Sequence, residues 1–119
     1  MKLEELKVYE LSMEIGESVW LIVEKWDYFS KDTIGKQLMR SVDSVAANLS
    51  EGFGRFHYKD AKNFTYFSRG SLYETKTWIR KAKNRNLMND EEYLKLTEDI
   101  NLIGKMLNSY IKSIGEKTN

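Results

Sequence analysis

Residues 89–114 read NDEEYLKLTEDINLIGKMLNSYIKSI, and this stretch decides the fold prediction. Its apolar side chains recur at steps of three and four, which is the spacing of one face of an α-helix. The recurring positions are Tyr93, Leu96, Ile100, Ile103, Leu107, Ile111 and Ile114. Asn89 stands just before the run and Glu92 three residues later, the arrangement of a capping box. The stretch therefore predicts a long amphipathic helix that starts after Asn89.

The same periodicity predicts three helices upstream. The first spans about residues 4–26, with an apolar stripe of Leu11, Ile15, Val19, Ile22 and Trp26. The second spans about 31–50, with a stripe of Ile34, Leu38, Val42, Val45 and Leu49. The third spans about 58–84, with a predicted inner face of Ala61, Phe64, Phe67, Ser71, Thr75, Trp78 and Ala82. Ser30 is the predicted N-cap of the second helix, and Gly52 or Gly54 its left-handed C-terminal cap.

Length and composition narrow the classes of protein. The chain of 119 residues is long enough for one domain, which we expect to span 1–119. It contains no cysteine and one histidine, which excludes a thiolate or multi-histidine metal site. No apolar run is long enough to cross a bilayer, so we expect no membrane association and a cytoplasmic location. Four helices with short connections predict an all-α, antiparallel up-down-up-down four-helix bundle.

A polar stripe runs along the second helix beside its apolar stripe. Its members lie within a sector of about 80° when each residue turns by about 100°; they are Gln37, Arg40, Ser44, Asn48 and Glu51. Ser68, Ser71 and Thr75 on the third helix are possible hydrogen-bond partners for this stripe. A buried arginine needs a carboxylate, and Glu51 and Glu74 are the candidates for Arg40. Two interpretations stay open: a buried seam that sets helix register, or an edge that binds a partner or ligand. No nucleophile, metal set or phosphate loop accompanies these residues, so no catalytic residue and no cofactor are predicted.

Charge is unevenly distributed although the net charge is only +1. Residues 1–30 hold three basic and seven acidic side chains, whereas residues 61–90 hold seven basic and two acidic ones. The candidate phosphate-binding residues are Arg69, Lys76, Arg80, Lys81, Lys83 and Arg85. Four of them crowd the end of the third helix, where cations also oppose the helix dipole, so a purely solvated helix end is the alternative.

Apolar residues beyond the predicted stripes indicate self-association. These are Val8, Trp20 and Leu21 on the first helix and Tyr66, Leu72 and Tyr73 on the third. Aromatic side chains are enriched at the centres of subunit interfaces. We therefore expect a homo-oligomer.

Two blocks of sequence resemble a known family. One runs from Gln37 through Arg40, Ser44, Asn48 and Glu51 to Arg55, and the other is Gly70-Ser71-Leu72 followed by Glu74-Thr75. Together with Asp90-Glu91-Glu92-Tyr93 and the segment 103–113, they resemble the bacterial four helix bundle protein family, also called the 23S rRNA intervening-sequence protein family. Ser41 and Ser50 depart from the alanines that are more usual there.

The resemblance implies a non-enzymatic four-helix bundle that assembles as a homopentamer. A related branch serves diversity-generating retroelements, where a basic pentamer binds reverse transcriptase and nucleic acid. Two functions therefore remain open. One is a scaffold that binds RNA or DNA, and the other is an adaptor ring that contacts only another protein, such as a reverse transcriptase.

Overall fold

Four long helices form the structure, a computed structural model that describes residues 1–115. Helix α1 spans Lys7–Val23 and follows a 3₁₀ turn at Leu3–Glu5. Helix α2 is continuous over three segments, an α-helical turn Tyr28–Ser30, a π-helical turn Lys31–Gly35 and an α-helix Lys36–Phe53. Helix α3 spans Tyr58–Asn84 and α4 spans Asp90–Ser113.

The helices pack as an elongated bundle of 52 × 23 × 21 Å. Helix α2 packs against α1 and α3, and α4 packs against α3 and α1, so the four helices close around one core. Short connections between successive helices make neighbours antiparallel. The predicted all-α four-helix bundle is confirmed.

The predicted stripes of α2 and α4 supply half of the buried hydrophobic residues. Every α2 position named from the sequence is buried, and Leu38, Val42 and Val45 have no exposed surface at all. On α4 the five central positions are buried: Leu96, Ile100, Ile103, Leu107 and Ile111. Both helices place an aliphatic side chain at nearly every inward turn, so hydrophobic periodicity alone identifies the buried face.

The predicted inner face of α3 is confirmed at Thr75 and Ala82, and elsewhere it lies about one residue from the buried face. Its buried positions are Thr65, Ser68, Leu72, Thr75, Ile79 and Ala82. Phe67 is instead 57% exposed, and Leu72, predicted to be surplus surface, is 3% exposed. On α1, Val8 was also predicted to lie outside the core, yet it is 2% exposed. Hydroxyl side chains occupy the inner face of α3 because they pack closely and hydrogen-bond across to α2.

The start of α2 also differs from the prediction. Asp27, not Ser30, is the N-cap, since its carboxylate accepts a 3.0 Å hydrogen bond from the Ser30 backbone N–H. The Ser30 backbone and hydroxyl hydrogen bonds lower the pKa of Asp27. Helix α2 therefore begins one turn earlier than predicted.

The end of α2 has no left-handed cap. Gly54, which follows the helix, has a right-handed φ of −80°. Within residues 1–115 positive φ angles occur at Asn86 and Gly115 only. Gly52 has a different use: a Cβ there would lie 2.9 Å from the Cβ of Phe64 and 3.0 Å from the carbonyl oxygen of Ala61. A glycine thus permits close approach of α2 and α3.

Candidate nucleic-acid interface

The polar stripe of α2 lies at the edge of the bundle and is more exposed than predicted. Gln37, Arg40 and Glu51 are exposed, while Ser44 and Asn48 are half-buried. On α3, Ser71 and Glu74 are half-buried, and Arg55 beyond α2 is exposed. The prediction that these side chains are mostly buried is therefore wrong. Amphipathic residues at a helix edge keep their polar ends in water, which costs less than burial.

Part of the stripe does link α2 to α3. The Arg40 guanidinium hydrogen-bonds the Gln37 amide oxygen and lies 3.4 Å from a carboxylate oxygen of Glu74. The same Glu74 oxygen accepts a 3.0 Å hydrogen bond from the Trp78 indole N–H. The predicted carboxylate partner of Arg40 is thus Glu74, at an exposed edge.

The rest of the stripe bonds locally and does not form one network. The Ser44 hydroxyl donates to the Arg40 carbonyl, and the Asn48 amide donates to the Ser44 carbonyl. Glu51 pairs with Arg55, one turn later, and the Arg55 guanidinium lies 4.6 Å from the centre of the Phe64 ring. These hydrogen bonds and this ion pair run along α2 and its C-terminal end and do not connect the stripe to α3.

The hydrogen bonds that join α2 and α3 inside the bundle come from other hydroxyls. Ser68 donates a 2.7 Å hydrogen bond to the Val45 carbonyl, and Thr75 donates a 3.0 Å hydrogen bond to the Ser41 hydroxyl. All three hydroxyl residues are at most 2% exposed. The sequence identified Ser68 and Thr75 as possible partners of α2, but it did not identify Ser41 as a partner.

The six candidate phosphate-binding cations do not share one face. At about 100° per residue, Arg69, Lys76 and Arg80 fall within about 40° of one another on the flank of α3 that faces α4. Lys81 lies about 140° around the helix from Lys76. Lys83 is engaged in a 2.9 Å ion pair with Asp90, and Arg85 follows the end of α3. The four cations between residues 80 and 85 therefore do not form a single basic surface.

A groove of about 330 Å³ lies between α3 and α4 beside Arg69 and Lys76. Its lining consists of Arg69, Leu72, Tyr73, Lys76, Ile100, Asn101, Gly104, Lys105 and Asn108. None of these is a carboxylate, and within residues 1–115 no ion pair engages Arg69, Lys76 or Lys105. The groove thus combines three unneutralised cations with two amide side chains, groups that bind phosphate oxygens in protein–nucleic acid complexes.

Arg69 is held in position at the groove. Its guanidinium donates a 3.0 Å hydrogen bond to the Asn108 amide oxygen and lies 5.1 Å from the centre of the Tyr66 ring. An arginine has five N–H donors, so donors remain for a ligand. Lys105 and both asparagines come from α4, so sequence analysis of the third helix alone missed them. The sequence feature that could have identified them is the row of polar residues on α4 beside its apolar stripe.

The groove on the other flank of α4 is acidic. A groove of about 490 Å³ between α1 and α4 is lined by Glu14, Glu17 and Asp99 together with Lys95. Lys95 bonds both oxygens of Asp99 at 2.7 and 2.8 Å, and this hydrogen bonding raises the pKa of Lys95. The only cation in this lining is therefore already paired. The charged side chains that line the two grooves are therefore of opposite net sign.

Two further observations concern cofactors and membranes. Within residues 1–115, no group of three or more histidine, aspartate or glutamate side chains is arranged to hold a metal ion. Over the same residues, no helix combines the length and apolar character that a bilayer crossing requires.

Comparison with known proteins places the bundle in a family. The sequence profile of the 23S rRNA-intervening sequence proteins matches residues 4–109. The chain belongs to the 23S rRNA-intervening sequence protein family. No curated protein matches it.

A solved structure resembles this family member along most of its length. It is a protein of unknown function from the S23 ribosomal protein family of Bacteroides thetaiotaomicron. The TM-score is 0.79 at 23% identity, over 89% of this chain and 99% of the other. At that identity the likeness supports the fold of the intervening-sequence protein and not an activity. Neither description names an enzymatic reaction.

Proposed function

We propose that this protein is a non-enzymatic, homo-oligomeric scaffold that binds RNA or DNA through the groove between α3 and α4. The supporting observation is the set of Arg69, Lys76 and Lys105 around one groove whose lining contains no carboxylate. Phosphate contacts supply most of the sequence-independent affinity for nucleic acid. The net charge of the chain is only +1, so this affinity comes from cations that are concentrated on one surface and not from an overall basic charge.

Assembly raises the affinity that one groove provides. Three cations release few counterions, so a single copy binds nucleic acid weakly. A ring presents several grooves to the same strand, and binding at the second groove then becomes effectively intramolecular. The family resemblance suggests five copies, and Trp20 and Leu21, which are 55% and 58% exposed on α1, offer apolar surface for an interface. Light scattering at micromolar concentration tests this part, with a mass several times 14.0 kDa expected.

Binding is tested by fluorescence anisotropy with labelled RNA and DNA at about 50 and 200 mM salt. Lys76→Glu is expected to weaken binding at least tenfold and to lower the salt dependence by about one counterion. Lys81→Glu is the matched control, because it makes the same charge change on the same helix but away from the groove. Equal losses in both variants, or no binding by the wild type at low salt, would contradict the proposal.

A protein-only adaptor is the second candidate. The α1 face favours it, because Trp20 and Leu21 are exposed there between Glu17 and Glu24, and Met13 is exposed one turn earlier. An acidic face with apolar centres fits a basic protein partner, such as a nucleic-acid enzyme. Under this alternative the wild type shows no salt-dependent retention on nucleic acid, while Trp20→Ala abolishes capture of the partner protein.

A further inference from the structure

The exposed flank of α3 alternates cations with tyrosines. Steps of four and three connect its six members, which therefore form one stripe along the helix: Lys62, Tyr66, Arg69, Tyr73, Lys76 and Arg80. Tyr66 and Tyr73 are 43% and 65% exposed. Packing within the chain does not explain why two large aromatic rings are exposed to solvent between cations.

The two tyrosines are placed differently relative to the cations. Tyr73 lines the groove with Arg69 and Lys76, so a base on its ring would have its phosphates beside both cations. Tyr66 lies one turn before Arg69, and the guanidinium is 5.1 Å from its ring centre. Aromatic rings bind unpaired bases by stacking, whatever the base, because every base has a π-face. Paired bases in a duplex are already stacked on their neighbours and do not offer that face.

We propose that this stripe selects single-stranded over double-stranded nucleic acid by stacking unpaired bases on Tyr66 and Tyr73 while the groove cations bind the phosphates. The inference rests on the proposed function and adds the type of nucleic acid. From Lys62 to Arg80 the stripe is about 27 Å long, at about 1.5 Å per residue. At about 3.4 Å per phosphate of a stacked strand, it spans about eight nucleotides, and fewer when the strand is extended.

The test compares a labelled oligouridylate of about 12 nucleotides with an RNA duplex of the same length. We expect the wild type to bind the single strand at least tenfold more tightly. Tyr73→Ala and Tyr66→Ala are each expected to weaken single-strand binding about tenfold or more and to change duplex binding less than about twofold. Tyr73→Phe keeps the ring and should retain the wild-type affinity. Tyr28→Ala is the control, since Tyr28 is 79% exposed at the start of α2.

The outcomes separate this inference from the proposed function. Equal binding of strand and duplex, or alanine variants that bind as the wild type does while Lys76→Glu does not, would overturn the stacking inference alone. No binding of either nucleic acid by the wild type would overturn both. Light scattering of the alanine variants covers the remaining case: a wild type that is oligomeric and variants that are monomeric would assign the stripe to the subunit interface and reject the inference.

Discussion

The Ser68 hydroxyl on α3 donates a 2.7 Å hydrogen bond to the Val45 carbonyl on α2, where neither residue has exposed surface. That carbonyl belongs to the backbone of a continuous helix, so the hydroxyl adds a bond between helices. Small polar side chains at such a contact let two helices approach closely and also set their register. The α2–α3 contact is thus partly specified by polar groups inside the core.

Ser68→Ala tests this contact. The substitution removes the donor while the carbonyl keeps its position in the α2 backbone, so we expect a loss of about 0.5–1.5 kcal/mol of unfolding free energy. Ser68→Val should cost more, because the added methyl groups enter a closely packed contact. Urea unfolding measures both. A Ser71→Ala variant is the control, since the half-buried Ser71 hydroxyl is not bonded across to α2, and it should change stability by less than about 0.5 kcal/mol.

Gly52→Ala tests the close approach at the end of α2. The new Cβ would meet the Phe64 Cβ at 2.9 Å and the Ala61 carbonyl oxygen at 3.0 Å, atoms that move only with the α3 backbone. We expect a loss of about 1–3 kcal/mol, even though alanine favours a helix more than glycine does. Gly70→Ala is a matched control, because a Cβ at Gly70 in the middle of α3 would have no atom within 4 Å beyond its own stretch of helix backbone. That variant should be neutral or stabilised by up to about 1 kcal/mol, and equal losses at both glycines would rule out the steric explanation.

The contrast between α2 and α3 explains how much of the fold could be predicted. On α2, aliphatic residues such as Leu38 and Val45 mark the buried face without ambiguity. On α3, Phe64 and Phe67 suggested a face beside the true one, because large rings are usually buried. In the fully buried part of the α2–α3 contact the residue is the small Ser68, whose hydroxyl bonds the Val45 carbonyl. Hydrophobicity alone does not identify a helix face that is buried because its side chains are small.

The candidate site was harder to predict because it lies between two helices. Arg69 and Lys76 were named from the sequence, but so was Lys81, which the rotation of the helix places elsewhere. The remaining groove cation, Lys105, lies on α4 and is brought to the groove only by packing of the two helices. The many cations close together in the sequence therefore drew attention to residues 80–85. In a helix of 3.6 residues per turn, side chains that are adjacent in sequence point in different directions.

Asp43→Asn tests an electrostatic cost at the α1–α2 edge. Burial, and then the nearby charge of Glu17, raise the pKa of Asp43 above its ordinary 3.8. The folded state therefore binds this proton more tightly than the unfolded state does. As the pH rises from the unfolded-state pKa to the raised folded-state pKa, ionisation of Asp43 lowers the unfolding free energy. Above the folded-state pKa this loss of stability stays constant.

We expect Asp43→Asn to be more stable than the wild type at neutral pH, by an amount that shrinks toward zero as the pH falls below the ordinary pKa. The gain is modest because the Asp43 carboxylate is only partly buried and water still screens it. Urea unfolding across acidic and neutral pH measures the difference, and Glu17→Gln should give a smaller gain in the same direction. A gain in stability that is independent of pH would contradict the proposed ionisation effect.

Arg40→Ala tests the exposed link between α2 and α3. A buried pair would make this change cost about 3–5 kcal/mol, because the partner charge would be left unpaired. In the structure the side chains of Arg40 and Glu74 are 66% and 41% exposed at 3.4 Å, so we expect a loss below about 1 kcal/mol. Glu74→Ala should cost more than Arg40→Ala, since it also removes the acceptor of the Trp78 indole N–H. A double-mutant cycle on urea unfolding isolates the pair, and its coupling should fall further when salt is added. A coupling of several kcal/mol that resists salt would mean that the edge is closed to water in solution, as it would be if another subunit covered it.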